Sequence, residues 1–403
     1  MRAPEQSDDS LAITLLCAHL ASPKASGLRP LIDSEWAALA ERIANSTIRT
    51  PSSLFGLSPE QLQAELGLEP LHANRIVGLL ARSGSVAFEL ERFASMGIWV
   101  MTRADNDYPR DVRRRLRSKA PAVLFGIGSR NLLSSRGIAI VGSRDLDDAG
   151  LRFANRIGHA SARSELTVYS GASRGADITA MRGCLDAGGR AVGVVSDGLE
   201  KSLRDPSTRE LMTSGMLCLA SPFHPGTSFR ASNAMARNKI VYCLSTLAIV
   251  VATGYSKGGT WTGAVEALKA KWVPVFVRVG DLAPPANQKL MEIGARPLVE
   301  ERVGYGESLL DWLRLVAAGT SDSDPTPSSA IDLFTLAWPS IAAFLTTPRS
   351  EDDISRRFDL VPSQVSHWLL RAEAKGEANR TLNGWVVDST DKDVWQESLF
   401  SDG

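Results

Sequence analysis

A chain of 403 residues with 44% hydrophobic and 22% charged positions has the make-up of a folded globular protein, which excludes wholesale disorder. At roughly 100–200 residues per domain, it should hold several domains. Its 45 Lys and Arg cancel 45 Asp and Glu, so any contact with nucleic acid must come from local patches and not from net charge.

The first nine residues are polar and acidic and lack the basic start of a signal peptide. The cysteines, Cys17, Cys184, Cys218 and Cys243, lie too far apart in sequence for a metal knuckle or a redox pair. Both features point to a reducing cytoplasm. Residues 1–104 read as an N-terminal helical domain, with Leu11, Leu15, Leu16 and Leu20 at helical spacing and Trp36, Leu39, Ala40 and Ile43 likewise. Ser58 followed by Pro59 is a helix start. The two short helices around Gly67 suit either a helix-hairpin-helix or a plain bundle packed on its neighbour.

Residues 105–305 alternate short apolar runs with stretches long enough for crossover helices. The candidate strands are Ile138–Val141, Thr167–Tyr169, Ala191–Val195, Met216–Leu219, Leu247–Val251 and Val273–Val277. That alternation predicts an α/β fold with a doubly wound, mostly parallel sheet. The most apolar run, Leu244 to Val251, is too short to cross a bilayer, so no membrane is expected. Residues 306–330 form a helical end and a Pro/Ser-rich linker. In 331–388, a helix opens at Ser350, the chain turns at Asp359–Ser363, a second helix runs from Gln364 to Lys375, and Gly384-Trp385-Val386-Val387 closes a hairpin. This is the pattern of a C-terminal winged-helix domain. Ser363, Gln364, Ser366 and His367 would face a DNA groove, but Glu351, Asp352, Asp353, Glu373 and Glu377 favour partner or dimer contact. Residues 389–403 form a flexible tail.

Three predicted strands end in turns of one chemical kind: Val141-Gly142-Ser143-Arg144, Ser170-Gly171-Ala172-Ser173-Arg174-Gly175, and Gly254-Tyr255-Ser256-Lys257-Gly258-Gly259-Thr260. Glycine lets the backbone turn sharply and lets a ligand approach its N–H groups. The helix N-terminus that follows adds unpaired donors and partial positive charge. Each turn also holds one cation: Arg144, Arg174 or Lys257. In a parallel sheet all three fall at the carboxyl edge, where ligands bind. The convergence predicts an anion site, most simply for phosphate, although no turn matches G-x-G-x-x-G or Walker A. Arg237 and Asn238 join it as a bidentate clamp and a donor to phosphate or a base edge.

These residues carry a resemblance. Tyr108-Pro109, Pro121-Ala122-Val123-Leu124-Phe125-Gly126, Ile138 to Arg144, Ser170 to Asp177, Gly188-Gly189-Arg190-Ala191-Val192, Gly198-Leu199, Arg237-Asn238-Lys239-Ile240, Leu244-Ser245, Ser256 to Thr262 and Gly294-Ala295 follow one another as in the DNA-processing family DprA, also called Smf. The likeness spans about residues 106–300. It implies an extended Rossmann-like fold that binds single-stranded DNA, forms a homodimer, and loads a RecA-type recombinase in natural transformation, without catalysis, cofactor or metal. It also implies a phosphate pocket of Arg144, Ser170, Gly171, Arg174, Gly175, Arg237, Asn238 and Lys257, to which the reading of the glycine turns adds Gly142, Ser143, Gly258, Gly259 and Thr260. Ala176, Ala180-Met181, Leu203-Arg204-Asp205-Pro206 and the stretch from Phe223 to Ala236 depart from the family pattern and mark a divergent member. Self-association is also suggested by Val241-Tyr242-Cys243-Leu244, if that segment is not covered within one subunit.

Other features leave alternatives open. The run from Arg110 to Lys119 is the strongest positive patch, and Arg113, Arg114 and Arg117 could add DNA contacts or form a solvated helix face. The Gly258-Gly259-Thr260 turn also resembles the nucleotide loop of the lonely-guy phosphoribohydrolases. There a Glu follows closely, whereas here Gly263 and Ala264 occupy that zone and Glu266 comes later. A nucleotide-binding sensor of phage defence is a further possibility. In the tail, Gln396, Leu399 and Phe400 resemble the short peptide that docks on the sliding clamp; folding back on the preceding domain is the other reading.

Overall fold

The computed structural model describes residues 7–20, 27–299, 309, 313, 333–374, 376–381 and 384–387. The chain divides into two compact units, Met1–Ala318 and Gly319–Gly403.

The first unit opens with helices α1 (Asp8–Cys17), α2 (Asp33–Ala44), α3 (Pro59–Leu66), α4 (Pro70–Leu80) and α5 (Ser83–Ser95). The expected start at Ser58 is a capping box. Its hydroxyl accepts from the Gln61 N–H at 3.3 Å, and the Gln61 side chain accepts from the Ser58 N–H at 2.8 Å. Gly67 closes α3 with φ 61°, a conformation glycine adopts without cost, and Arg42 donates to the Leu66 and Gly67 carbonyls at 2.9 and 2.7 Å.

The sheet follows. Strands β1 (Ile98–Thr102) and β2 (Val123–Gly128) flank helix α6 (Arg110–Leu116). Then come β3 (Gly137–Val141), α7 (Asp148–Arg163), β4 (Thr167–Ser170), α8 (Ala176–Asp186), β5 (Ala191–Val194), the short α9 (Leu199–Ser202), α10 (Pro206–Thr213) and β6 (Leu217–Ser221). Helix α11 (Ala231–Leu244), β7 (Ala248–Val250), α12 (Gly258–Ala270), β8 (Val275–Val279), α13 (Pro285–Met291) and β9 (Arg296–Val299) complete it. The nine strands run in the order β1-β2-β6-β5-β4-β3-β7-β8-β9. Pairs from β6 through β9 are parallel; β2 is antiparallel to both β1 and β6.

Burial on both faces explains why the central strands are continuous apolar runs. Ile138 and Ile140 of β3 face one core with Phe153 and Ile157 of α7 and Ala180 of α8. Ala139 and Val141 face a second core with Ile240 and Tyr242 of α11 and Ala264 of α12. The six strands expected from sequence are present within a few residues; β1, β2 and β9 are additional. The sheet therefore begins at Ile98, before the boundary expected at 104. β9 holds Pro297 and lies at an edge, where a missing N–H is tolerated. One expectation is overturned. Val241, Tyr242, Cys243 and Leu244 are 0, 1, 0 and 6% exposed, so the segment is core and offers no dimer surface. All four cysteines are free and buried, and burial pushes the Cys218 thiol up to about 12.

The second unit has its own core, built from Phe334, Trp338, Ile354, Trp368, Leu369 and Trp385. It holds α14 (Leu333–Phe344), α15 (Glu351–Phe358), α16 (Pro362–Ala374) and the hairpin β10 (Asn379–Thr381) with β11 (Gly384–Val386). The Ser350 hydroxyl accepts from the Asp353 N–H at 3.2 Å, which starts α15 at the expected residue. His367 is exposed, while Trp368 is in the core. Among the described residues, no helix is long and apolar enough to cross a membrane.

Candidate functional site

The chain leaves β3 for β4 on one side and returns to β7 on the other, so β4, β3 and β7 are neighbours. This reversal opens a crevice at the carboxyl edge of a parallel sheet. The three glycine turns stand there side by side. With the first half of α11 they enclose a cleft of about 430 Å³.

Gly142, Ser143, Arg144, Arg237, Asn238, Lys257, Gly258, Gly259 and Thr260 line this cleft. Three cations, Arg144, Arg237 and Lys257, face one acid, Asp177, so the cleft suits an anion. Arg144 and Lys257 are exposed at its mouth, and the Arg144 guanidinium lies 4.9 Å from the centre of the Phe229 ring. Lys257 is the residue before α12, whose first-turn N–H groups it adjoins. Thr260 Oγ1 donates to the Gly142 carbonyl at 3.0 Å, and Asn238 Nδ2 donates to the Gly259 carbonyl at 3.0 Å. These bonds tie the first and third turns, and α11, into one frame.

The remaining predicted residues lie elsewhere. Ser170 is buried, and its hydroxyl donates to the Ile140 carbonyl at 2.6 Å. Arg174 points out of the cleft and pairs with Asp145; both are exposed. Gly171 and Gly175 lie beneath the cleft. A Cβ on Gly175, which has φ 88°, would fall 2.3 Å from the Ser143 carbonyl oxygen. That close approach joins the first and second turns.

Arg237 is 3% exposed. Its Nη2 donates to Ser173 Oγ at 2.8 Å and lies 3.8 Å from Asp177 Oδ2. Burial raises the Asp177 carboxyl pKa, and the facing Arg237 guanidinium opposes that rise. Burial likewise lowers the pKa of Arg237, and Asp177 opposes that fall. Arg237 thus presents charge from the floor of the cleft. Asp177, Phe229 and Met235 are lining residues that were not among the expected ones. Asp177 closes the second turn's motif and was the one with a visible signal; nothing in local pattern marks the other two. Among the described residues, no group of three or more His, Cys, Asp or Glu could hold a metal ion.

The arginine run on α6 divides by helical face. Arg114 is exposed and pairs with Asp111 at 2.8 Å, while the Arg113 guanidinium lies 5.4 Å from the Tyr108 ring centre. Arg117 is exposed with φ 52°. Arg115 turns inward and donates to the Cys243 and Ser245 carbonyls at 2.8 and 2.6 Å. It closes the C-terminus of α11. Arg115→Ala should therefore lower unfolding stability by about 1.5–3 kcal/mol, whereas Arg114→Ala should change it by less than about 0.5 kcal/mol. Urea unfolding of the two variants checks this; equal effects would refute the division. Gln396, Leu399 and Phe400 lie outside the described residues.

Fold and cleft together define a class: an α/β protein with a large, mostly parallel sheet and an anion-suited cleft at its carboxyl edge. The family model for DNA recombination-mediator protein A matches residues 99–303, and the chain belongs to that family. It is 26% identical over 309 residues to Protein Smf of Synechocystis, covering 68% of this chain and 76% of that protein. It is 24% identical over 320 residues to the putative DNA processing protein DprA of Mycobacterium tuberculosis, covering 75% and 80%. The X-ray structure of DNA processing protein A from Streptococcus pneumoniae shares the fold, with a TM-score of 0.55 and 22% identity over 72% of this chain and 94% of that one. Membership places the protein in DNA processing and recombination.

Proposed function

We propose that the cleft binds the sugar-phosphate backbone of single-stranded DNA and that the protein acts as a non-catalytic recombination mediator in the cytoplasm. The observation that carries this reading is the convergence of Arg144, Arg237 and Lys257 on a cleft that Asp177 lines as its one acid among the described residues. Phosphate contacts of this kind position a strand without reading its sequence. On this reading the protein works as a homodimer and delivers the strand to a RecA-type recombinase. The second unit serves as a winged-helix module for partner contact. The tail residues Gln396, Leu399 and Phe400 engage a sliding clamp.

A hydrolase reading lacks support in the cleft. Glu266 is exposed and lines a different groove, and Asp177 is tied to Arg237. A nucleotide-sensing reading draws on volume, since about 430 Å³ is within the range of small-molecule sites. Fluorescence anisotropy at two salt concentrations separates the two. Single strands should bind more tightly than duplex, with affinity falling with salt by about 0.7 in logarithmic slope per phosphate held. Tighter binding of free nucleotides than of strands would overturn the strand reading in favour of the sensor.

A further inference from the structure

We infer that a second groove, around the N-terminus of α12 from the cleft, takes the continuation of the same nucleic-acid strand and stacks its bases on aromatic rings. The inference rests on the cleft reading and extends it. The groove runs between the end of α6 and the outer flank of α12, with a volume of about 870 Å³. It adjoins the cleft at a shared turn. Lys257 lines the cleft, and its neighbour Ser256 lines the groove.

Its chemistry differs from the cleft's. Trp261 and Trp272 form its apolar floor, and Arg117, Lys119 and Lys269 are exposed along it. Glu266 is the acid that faces them. Tyr255, in the turn that the cleft and groove share, is 61% exposed, and its ring meets that of the lining residue Trp261 edge-to-face at 5.2 Å. A large aromatic side chain left this open and held by a second ring is what a stacking platform for unpaired bases requires. Duplex bases are already stacked and cannot use it.

The backbone adds a separate sign. Arg117 and Ser256, both non-glycine residues with positive φ (52° and 54°), line this groove. Strain of this kind gathers where the surrounding structure holds a functional surface in shape.

The test uses the full chain and labelled oligothymidines of about five and about twenty nucleotides. Tyr255, Lys119 and Lys269 are exposed, so their replacement does not threaten the fold. The double variant Lys119→Glu/Lys269→Glu should lose about tenfold or more in affinity for the long strand and little for the short one. Tyr255→Ala should lose about fivefold or more on the long strand, but not on an abasic strand of equal length. Wild-type affinity for the long strand in both variants overturns the proposal, as does an equal Tyr255→Ala loss on duplex. Lys257→Ala keeps the two ideas apart. If it leaves both lengths unaffected while the groove variants weaken the long strand, the cleft reading fails and the groove stands. If it weakens both lengths while the groove variants do nothing, the groove fails alone.

Discussion

Arg144→Ala and Lys257→Ala should each weaken single-strand binding by about 10- to 150-fold, because losing a charge-assisted bond to phosphate costs about 1.5–3 kcal/mol. Thermal unfolding should be unchanged. Both residues are exposed, and neither has an ion-pair partner among the described residues, so removing them strips no buried contact from the fold. The comparison that gives the result meaning is Arg174→Ala. Arg174 lies in an equally glycine-rich turn one strand away, but it is held by Asp145 outside the cleft. It should bind within about twofold of the parent, as expected of an exposed ion pair. Arg144→Lys should fall between parent and alanine, since an ammonium keeps the charge but loses the planar fork that grips two oxygens. Titrations at several salt concentrations should also show a slope smaller by about 0.7 in each alanine variant, one phosphate's worth of released counterion. Parent-like affinity in both folded alanine variants would remove the cleft from the binding surface.

The central architecture is legible in the sequence for a physical reason. Strands buried on both faces are short apolar runs, and β3, β4 and β7 each end in small residues where the chain must turn into a helix. That is enough to place three turns at one edge and to select Arg144, Lys257 and Arg237 as cations near them. β1 and β2 are harder to see, because they pair antiparallel at one end of the sheet and stand outside its parallel strand–helix alternation. Side-chain direction is also out of reach. Arg174 and Arg144 occupy like positions in neighbouring turns, but Ala172 at φ 51° and Gly175 at φ 88° bend the second turn in a way that residue spacing does not encode. Arg115, in a run of like charges, is a structural residue because its face of α6 meets the end of α11.

The glycines illustrate the same limit. Gly142, Gly171 and Gly175 read as places where a ligand nears the backbone, but the structure fills the space beside each with protein. A Cβ on Gly142 would lie 2.5 Å from the Ala176 Cβ. That contact packs β3 against the start of α8. Of these three only Gly142 also lines the cleft, beside the side chains of the rim and floor and the glycines of the third turn, Gly258 and Gly259.

Gly171→Ala is expected to damage the site through a single buried side chain, that of Arg237. The new Cβ would fall 1.5 Å from Arg237 Nη1 and 2.1 Å from Cζ, inside any tolerable contact. Gly171 does not need its glycine for backbone reasons, since its φ is not positive. It needs the absence of a side chain, because a buried guanidinium occupies that place. If Arg237 moves, it loses Ser173 Oγ and leaves Asp177 buried without its counter-charge, which costs about 3–5 kcal/mol in comparable pairs. If the second turn moves instead, it carries Gly175 and its contacts with the first turn. Either way the cleft floor is lost, so strand affinity and stability should fall together. Gly258→Ala serves as the contrast. Its φ of 83° carries a backbone penalty of about 1–2 kcal/mol, but nothing lies within 4 Å of the added Cβ. A double-mutant cycle gives the decision. With Arg237→Ala in place the clash has no partner, so adding Gly171→Ala should cost less than about 0.5 kcal/mol. Urea unfolding of the parent, the two single variants and the double variant measures this. If the two costs simply add, Gly171 is not the seat of Arg237, and the floor of the cleft must be held by other contacts.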